Sequence, residues 1–151
     1  MGAPAPDFTA ETADGRTVRL ADFRGRIVVL YFYPRDLTPG CTREACDFRD
    51  AYRAIQAAGA EVLGVSRDEP SSHRRFAEKH ALPFPLLSDP TGELCRSYGV
   101  LVEKTLYGRR SLGIERSTFL IDREGILRGI WRKVRVDGHV AEVLELLRSL
   151  A

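Results

Sequence analysis

The sequence predicts an α/β fold with a mixed central β-sheet, flanked by helices and opened by an N-terminal β-hairpin. Three observations carry this. Residues 27–33 read Ile-Val-Val-Leu-Tyr-Phe-Tyr, an unbroken apolar run rich in β-branched and aromatic side chains. Such a run suits a strand covered on both faces of a sheet. From there to residue 98, strand-like and helix-like segments alternate, the pattern that builds parallel sheets with helical crossovers. Finally, residues 117–121 and 126–131 flank Asp122-Arg123-Glu124-Gly125, a turn signal between two apolar runs. That predicts a late antiparallel pair.

Each element follows from local chemistry. Residues 7–23 are predicted as the hairpin, with Asp14-Gly15 at its turn. The strand at 27–33 stops at Pro34, and Thr38-Pro39-Gly40 marks a tight loop. A helix is predicted over 41–58, where Phe48, Tyr52 and Ile55 recur at helical spacing and Gly59 terminates. Residues 61–66 read as a second strand, 71–81 as a helix ending before Pro83, and 84–87 as a short strand despite Pro85. Asp89-Pro90 reads as an N-cap and first helical residue of a helix reaching Tyr98. The last helix starts near Asp137, with Val140, Val143, Leu144, Leu147 and Leu150 on one core-facing stripe.

At 151 residues the chain is read as one domain, 1–151, long enough to bury a core without staples. A net charge of +2 is too small to argue for a nucleic-acid partner, and Arg132, Lys133 and Arg135 read as a solvated strand end. No apolar run approaches the ~18 residues of a membrane span. Residues 1–8 lack the basic and apolar regions of a secretory leader. Pro6 stands where a myristoylation signal needs Ser or Thr. Three cysteines are too few, and odd in number, for a disulfide scaffold. The expected location is cytoplasmic, with thiols serving catalysis or packing.

The segment with the most chemistry runs from Pro34 to Cys46, Pro-Arg-Asp-Leu-Thr-Pro-Gly-Cys-Thr-Arg-Glu-Ala-Cys. It joins the apolar strand to the following helix, so Cys41 sits at a helix N-terminus, where the positive end of the dipole and unpaired N–H groups favour a thiolate. Gly40 lets backbone approach a ligand closely. The same N–H groups can receive an oxygen that becomes negative as it leaves. Thr38 adds a hydroxyl three residues earlier, and Cys46 a second thiol five residues later. On an ideal helix that spacing puts the two Cα atoms ~8–9 Å apart on faces ~140° different, whereas a disulfide needs roughly 4.4–6.8 Å. Cys41 and Cys46 therefore cannot pair while the helix is intact. The C-x4-C spacing also differs from the C-x-x-C of dithiol oxidoreductases.

The pattern Pro34-x-x-x-Thr38-x-x-Cys41 resembles the active-site motif of peroxiredoxins, and residues 38–50 resemble the bacterioferritin-comigratory-protein (Q-type) subfamily. The likeness continues through residues 4–8, Leu87-Ser88-Asp89, Tyr98-Gly99-Val100, Glu103-Lys104, Tyr107-Gly108 and residues 113–122. It implies a thioredoxin-like fold and a thiol-dependent peroxidase acting on hydrogen peroxide and organic hydroperoxides, recycled by a thioredoxin-type reductant. On that resemblance Cys41 is the peroxidatic cysteine, converted to a sulfenic acid. Thr38 and Arg116 hold the thiolate and peroxide, Pro34 shields the sulfenate, and the backbone N–H groups of Gly40 and Cys41 complete the cradle. Cys46 is the resolving cysteine, forming a Cys41–Cys46 disulfide. Cys95, on the helix where some subfamily members carry the resolving thiol, is the competing partner.

Glu44 belongs to the same motif and reads equally as support for the site or as a first-turn carboxylate facing the helix dipole. His73, His80 and His139 are scattered and read as surface residues. No Walker loop or dinucleotide fingerprint is present, so no metal, flavin or nucleotide is expected. A zinc module using Cys41, Cys46 and Cys95 lacks ligand pairs at zinc spacing. The same thiols could serve a non-catalytic peroxide sensor that relays its disulfide, which steady-state turnover distinguishes from an enzyme. A monomer is expected.

Overall fold

The structure, a computed structural model, describes residues 2–150; Met1 and Ala151, the two ends of the expected domain, lie outside the described residues. The chain order is β1 (Thr9–Thr12), β2 (Thr17–Arg19), a 3-10 turn (Leu20–Phe23), β3 (Ile27–Phe32), α1 (Pro39–Ala57), β4 (Ala60–Ser66) and α2 (Pro70–His80). It continues with β5 (Leu86–Ser88), α3 (Glu93–Ser97), β6 (Leu101–Leu106), β7 (Arg109–Ile114), β8 (Ser117–Ile121), β9 (Leu127–Trp131) and α4 (His139–Leu150).

Seven strands form one mixed sheet in the order β2-β1-β5-β4-β3-β8-β9. β3 lies at its interior, parallel to β4 and antiparallel to β8, and all six of its residues are buried. Burial on both faces is why its sequence is continuously apolar rather than alternating. Its alternate residues serve two cores. Ile27, Val29 and Tyr31 pack beneath α1, α2 and α4 with Phe48, Phe76, Val143 and Leu147. Val28, Leu30 and Phe32 face Phe8, Leu94, Tyr98 and Phe119 on the other side. In α4, Val140, Val143 and Leu147 of the predicted stripe are buried, while Leu144 and Leu150 pack at its margin. Among the described residues no helix is long and apolar enough to cross a membrane.

The structure moves several boundaries for physical reasons. The N-terminal hairpin is real, pairing Thr9 with Arg19 and Glu11 with Thr17, but it joins the main sheet because β1 also pairs with β5. Helix α1 begins at Pro39, two residues early, since proline at the first turn forfeits an N–H that no helix bond needs. The strand predicted at 84–87 shifts to Leu86–Ser88, past Pro85. The helix predicted from Asp89-Pro90 shrinks to α3, because Gly92 adopts a left-handed φ of 80°. Gly92, not Asp89, is therefore the N-cap, but the Asp89 carboxylate reaches the same helix start and accepts from the N–H groups of Leu94 and Cys95 at 3.2 and 2.9 Å. The β6–β7 hairpin is an element beyond those the sequence predicts. It pairs Leu101–Leu106 with Arg109–Ile114 as a separate two-stranded sheet, turning at Tyr107 and Gly108, which have φ of 52° and 75°. Two positive φ values in a two-residue loop match the twist of a hairpin.

Candidate active site

The loop after β3 carries the chain over the C-terminal edge of the parallel strands and into α1, where ligand sites in α/β sheets commonly form. Thr38 is the N-cap, and its carbonyl accepts the first helical bond from Thr42 at 2.8 Å. Cys41 therefore lies in the first turn, where N–H groups have no intrahelical acceptor. Its side chain is buried, with 2% exposure, against β3 and the α4 face.

Arg116, between β7 and β8, also reaches this sulfur. Its Nη2 donates to Cys41 Sγ at 3.2 Å, and its Nη1 donates to Glu44 Oε1 at 2.6 Å. Gly40 permits the approach: a Cβ there would lie 3.3 Å from Arg116 Nη2. Glu44 is fully buried and, because α1 starts at Pro39, lies in the second turn rather than the first, so it is a site position and not a solvated carboxylate at the helix start. Burial pushes the Glu44 carboxyl up to about 7, against the opposing pull of Arg116. For Arg116, burial works against the charge, but Glu44 and Cys41 outweigh it and hold the guanidinium above its ordinary value.

The structure thus brings together Cys41, Gly40, Glu44 and Arg116. Thr38 stands three residues away, but its hydroxyl donates to the Arg35 carbonyl at 2.9 Å. Pro34 is exposed at the start of the loop. Cys46 is half-buried farther along α1, and all three cysteines are free thiols. Cys95 lies in the opposite core, fully buried, where burial and the Asp89 carboxylate push its thiol far up. Arg43, the other cation of this turn, pairs with Asp137 at 2.7 Å.

The histidines depart from the surface reading. His73 and His139 are buried, and His80 is half-buried. His139 Nε2 meets Thr118 Oγ1 at 2.7 Å, and burial, with Arg116 nearby, lowers its pKa to about 4. His73 Nδ1 meets Asp36 Oδ2 at 2.7 Å and its Nε2 meets the Leu87 carbonyl at 3.0 Å. A signal existed: His73 lies three residues before Phe76, and His139 four before Val143, the spacing of one helix face. Asp36, Asp68 and His73 also form a group whose candidate ligand atoms lie within 4.8 Å of one another. Those atoms are already engaged with Tyr33, Ser66, Ser72, Leu87 and one another, which is the arrangement of a hydrogen-bonded clamp.

Comparison with known proteins places this geometry in context. Residues 1–130 match the AhpC/TSA family. The chain is 51% identical to a putative peroxiredoxin bcp of Coxiella burnetii, over 95% of each chain. It is 48% identical to peroxiredoxin Bcp of Bacillus subtilis, over 100% of this chain and 96% of that one. Among solved structures it superimposes on the Xanthomonas campestris bacterioferritin comigratory protein, described for its alkyl peroxide reduction activity, with a TM-score of 0.90. That match has 44% identity and covers 94% of this chain and 90% of the other. The fold is therefore thioredoxin-like.

Proposed function

Since the chain belongs to the AhpC/TSA family, and within it to the thiol peroxidases of the Bcp and peroxiredoxin Q type, we propose that Cys41 is the sulfur that cleaves the peroxide and that Arg116 orients the reaction. The observation that carries this reading is the guanidinium set between Cys41 Sγ, at 3.2 Å, and Glu44 Oε1, at 2.6 Å. One fork nitrogen faces the nucleophile while the other is anchored by a buried carboxylate, which fixes the plane of the fork.

The Cys41 thiolate attacks one peroxide oxygen. The S–O bond forms as the O–O bond breaks, and the departing oxygen keeps the electron pair and takes up a proton to leave as water or alcohol. The first-turn N–H groups and Arg116 are donors for the charge that develops on the oxygens. Cys41 is left as a sulfenic acid. The Cys46 sulfur then attacks it, forming a disulfide and releasing the oxygen as water. A thioredoxin-type dithiol, itself oxidised to a disulfide, restores both thiols. Hydrogen peroxide and organic hydroperoxides are the substrates of this reading, and the relative described for alkyl peroxide reduction supports the second class.

Cys46 is favoured over Cys95 as the resolving thiol by position. Both Cys41 and Cys46 lie on α1, whereas Cys95 belongs to the core on the other face of the sheet. Disulfide formation then requires the first turns of α1 to unravel, because ~8–9 Å between Cα atoms exceeds disulfide reach. The reading is of a monomer in a reducing compartment such as the cytoplasm, which supplies the dithiol. The test is peroxide consumption with thioredoxin and its reductase. Steady turnover by the wild type and none by Cys41→Ser are expected. A single stoichiometric event, or unaltered turnover by Cys41→Ser, overturns the reading.

A further inference from the structure

The loop that delivers Cys41 is held by a buried polar clamp that the chemistry above does not use. Asp36 is buried in this loop. Its Oδ1 accepts from the Tyr33 hydroxyl at 2.6 Å, and its Oδ2 accepts from Ser72 at 2.8 Å and meets His73 Nδ1 at 2.7 Å. The Asp36 N–H donates to Asp68 Oδ2 at 2.8 Å, and Asp68 also accepts from Ser66 at 2.6 Å. His73, fully buried, reaches on to the Leu87 carbonyl at 3.0 Å. One loop residue is thereby tied to the ends of β3 and β4, to the first turn of α2 and to β5.

The next residue shows what this anchorage holds. Leu37 has a φ of 62° and is exposed. The left-handed region is unfavourable for a leucine, and Leu37 is not one of the residues buried in either core. The conformation persists where surrounding structure over-determines it. One side of Leu37 is the Asp36 clamp; the other is Thr38, the N-cap that sets the start of α1 and hence the placement of the Cys41 sulfur and first-turn N–H groups.

We propose that Asp36 and His73 are positioning residues for the peroxide reaction: their buried pair holds Leu37 left-handed and so keeps the Pro39–Cys41 turn in its peroxide-reactive geometry. This rests on Cys41 being the attacking sulfur. Loss of the clamp lets Leu37 relax to an ordinary φ, and the N-cap moves with it. The step needing the folded turn slows, while the step needing that turn to open does not.

The experiment follows sulfenic acid formation and its later disappearance separately, by rapid mixing with hydrogen peroxide and trapping with a sulfenate-specific reagent. For His73→Gln and Asp36→Asn, formation is expected to slow roughly tenfold or more, the scale of losing hydrogen bonds to a charged group, with disappearance unslowed. Phe76→Leu is the control, buried on the same helix but outside the clamp; it is expected to lower Tm without dividing the two steps. Leu37→Gly, which accepts a positive φ without a steric cost, is expected to restore formation in the His73→Gln background. If His73→Gln does not fold, Ser72→Ala removes one donor from Asp36, with a smaller loss in the same step expected. Equal slowing of both steps, no slowing, or failure of Leu37→Gly to restore the rate overturns the proposal. A wild type that forms no sulfenic acid instead overturns the function assigned to Cys41.

Discussion

Arg116 Nη2 lies 3.2 Å from Cys41 Sγ, although the two residues are 75 positions apart in the chain. The contact depends on three parts of the fold. Strand β8 pairs antiparallel with β3, so Arg116 enters beside the end of β3; α1 starts at Pro39; and position 40 carries no side chain. The Arg116 carbonyl is itself tied down, accepting from the Val134 N–H at 2.9 Å.

Replacing Arg116 therefore has two separable effects. Arg116→Met is expected to slow the reaction of Cys41 with peroxide by about 10²–10³, the usual loss when one donor to a developing charge is removed. Arg116→Lys keeps a charge without the planar fork and should fall between. Stopped-flow measurement of the bimolecular step checks this. Arg116→Met also strands the buried Glu44 carboxylate. Its stability deficit should be larger at pH 8, where Glu44 must stay ionised or take up a proton, than at pH 5, where it is already protonated.

Glu44 predicts the sign of a pH dependence in the wild type. Its carboxyl is raised from an ordinary value of 4.5 to about 7 by burial. Between those values the folded protein holds a proton that the unfolded chain has released, so stability is fully present below about 4.5 and declines as pH rises towards 7. Glu44→Gln should remove this contribution, so that the variant gains stability relative to the wild type as pH rises from 4.5 to 7.5, by an amount on the order of a few kcal/mol. Urea unfolding of both proteins at pH 4.5, 6 and 7.5 measures it. Parallel curves for the two would remove Glu44 as the cause.

Much of this site could be read from the chain, and the remainder could not, for identifiable reasons. The apolar run into β3, Pro34 as its stop and the Thr38-Pro39-Gly40 punctuation are local signals, and they place Cys41 at a helix start, although the helix takes in Pro39 and Gly40 as well. Arg116 is one arginine among many, and only the resemblance singles it out, because the pairing of β3 with β8 that brings it close is non-local. The burial of Glu44 is hidden because, counted from a helix start at Cys41, it reads as a first-turn carboxylate, which is also an ordinary surface residue, whereas the start at Pro39 puts it in the second turn. The β6–β7 hairpin escaped because β7 is largely exposed, so no core-facing stripe marks it, and because its turn is Tyr-Gly rather than Asn-Gly. Asp36 and His73 lie on different elements, so although the spacing of His73 to Phe76 marks a buried helix face, nothing local joins His73 to Asp36.

His139 predicts a pH slope opposite to that of Glu44. Burial, reinforced by Arg116, lowers its pKa from 6.5 to about 4. Between those values the unfolded chain binds a proton that the folded protein does not, so the contribution is present above about 6.5 and is lost as pH falls through 4. Over pH 4.5–6.5 the two contributions oppose each other and largely cancel in the wild type, so His139→Gln, which can still bond Thr118, should leave the Glu44 decline uncompensated and make stability fall as pH rises. Glu44→Gln should do the reverse, and the double variant should return to a profile close to that of the wild type. The check is thermal unfolding across that range.

The three thiols should divide sharply towards an alkylating reagent. Cys95 is fully buried and its thiol is pushed far up by burial and by Asp89, so native protein should react there only on global opening. Cys46 is half-buried and should be modified in the folded state. Cys95→Ala should leave peroxide turnover unchanged and lower stability by about 1 kcal/mol, a small core truncation. Peptide mapping after one equivalent of peroxide should give the 41–46 bridge in both proteins. A 41–95 bridge as the main product would transfer the resolving role to Cys95.

Gly64 tests the packing beneath the site. It sits in β4 with Tyr31 opposite on β3 and Leu86 opposite on β5. A Cβ at this position would lie 2.9 Å from Tyr31 Cζ and 2.9 Å from Leu86 Cδ2. Tyr31 has no room to yield, since it is fully buried with its ring stacked on Phe48 at 4.6 Å and on Tyr33 at 5.4 Å. Gly64→Ala should therefore cost about 1–3 kcal/mol, the range for overpacking, or a Tm drop of roughly 2–4 °C per kcal/mol for a chain of this size. The strain points towards α1 through Phe48 and towards Asp36 through Tyr33, so peroxide reactivity should fall along with stability. Leu86→Val in the same background opens space on one flank and should recover part of both. Simple additivity of the two substitutions would show that the added methyl is accommodated elsewhere.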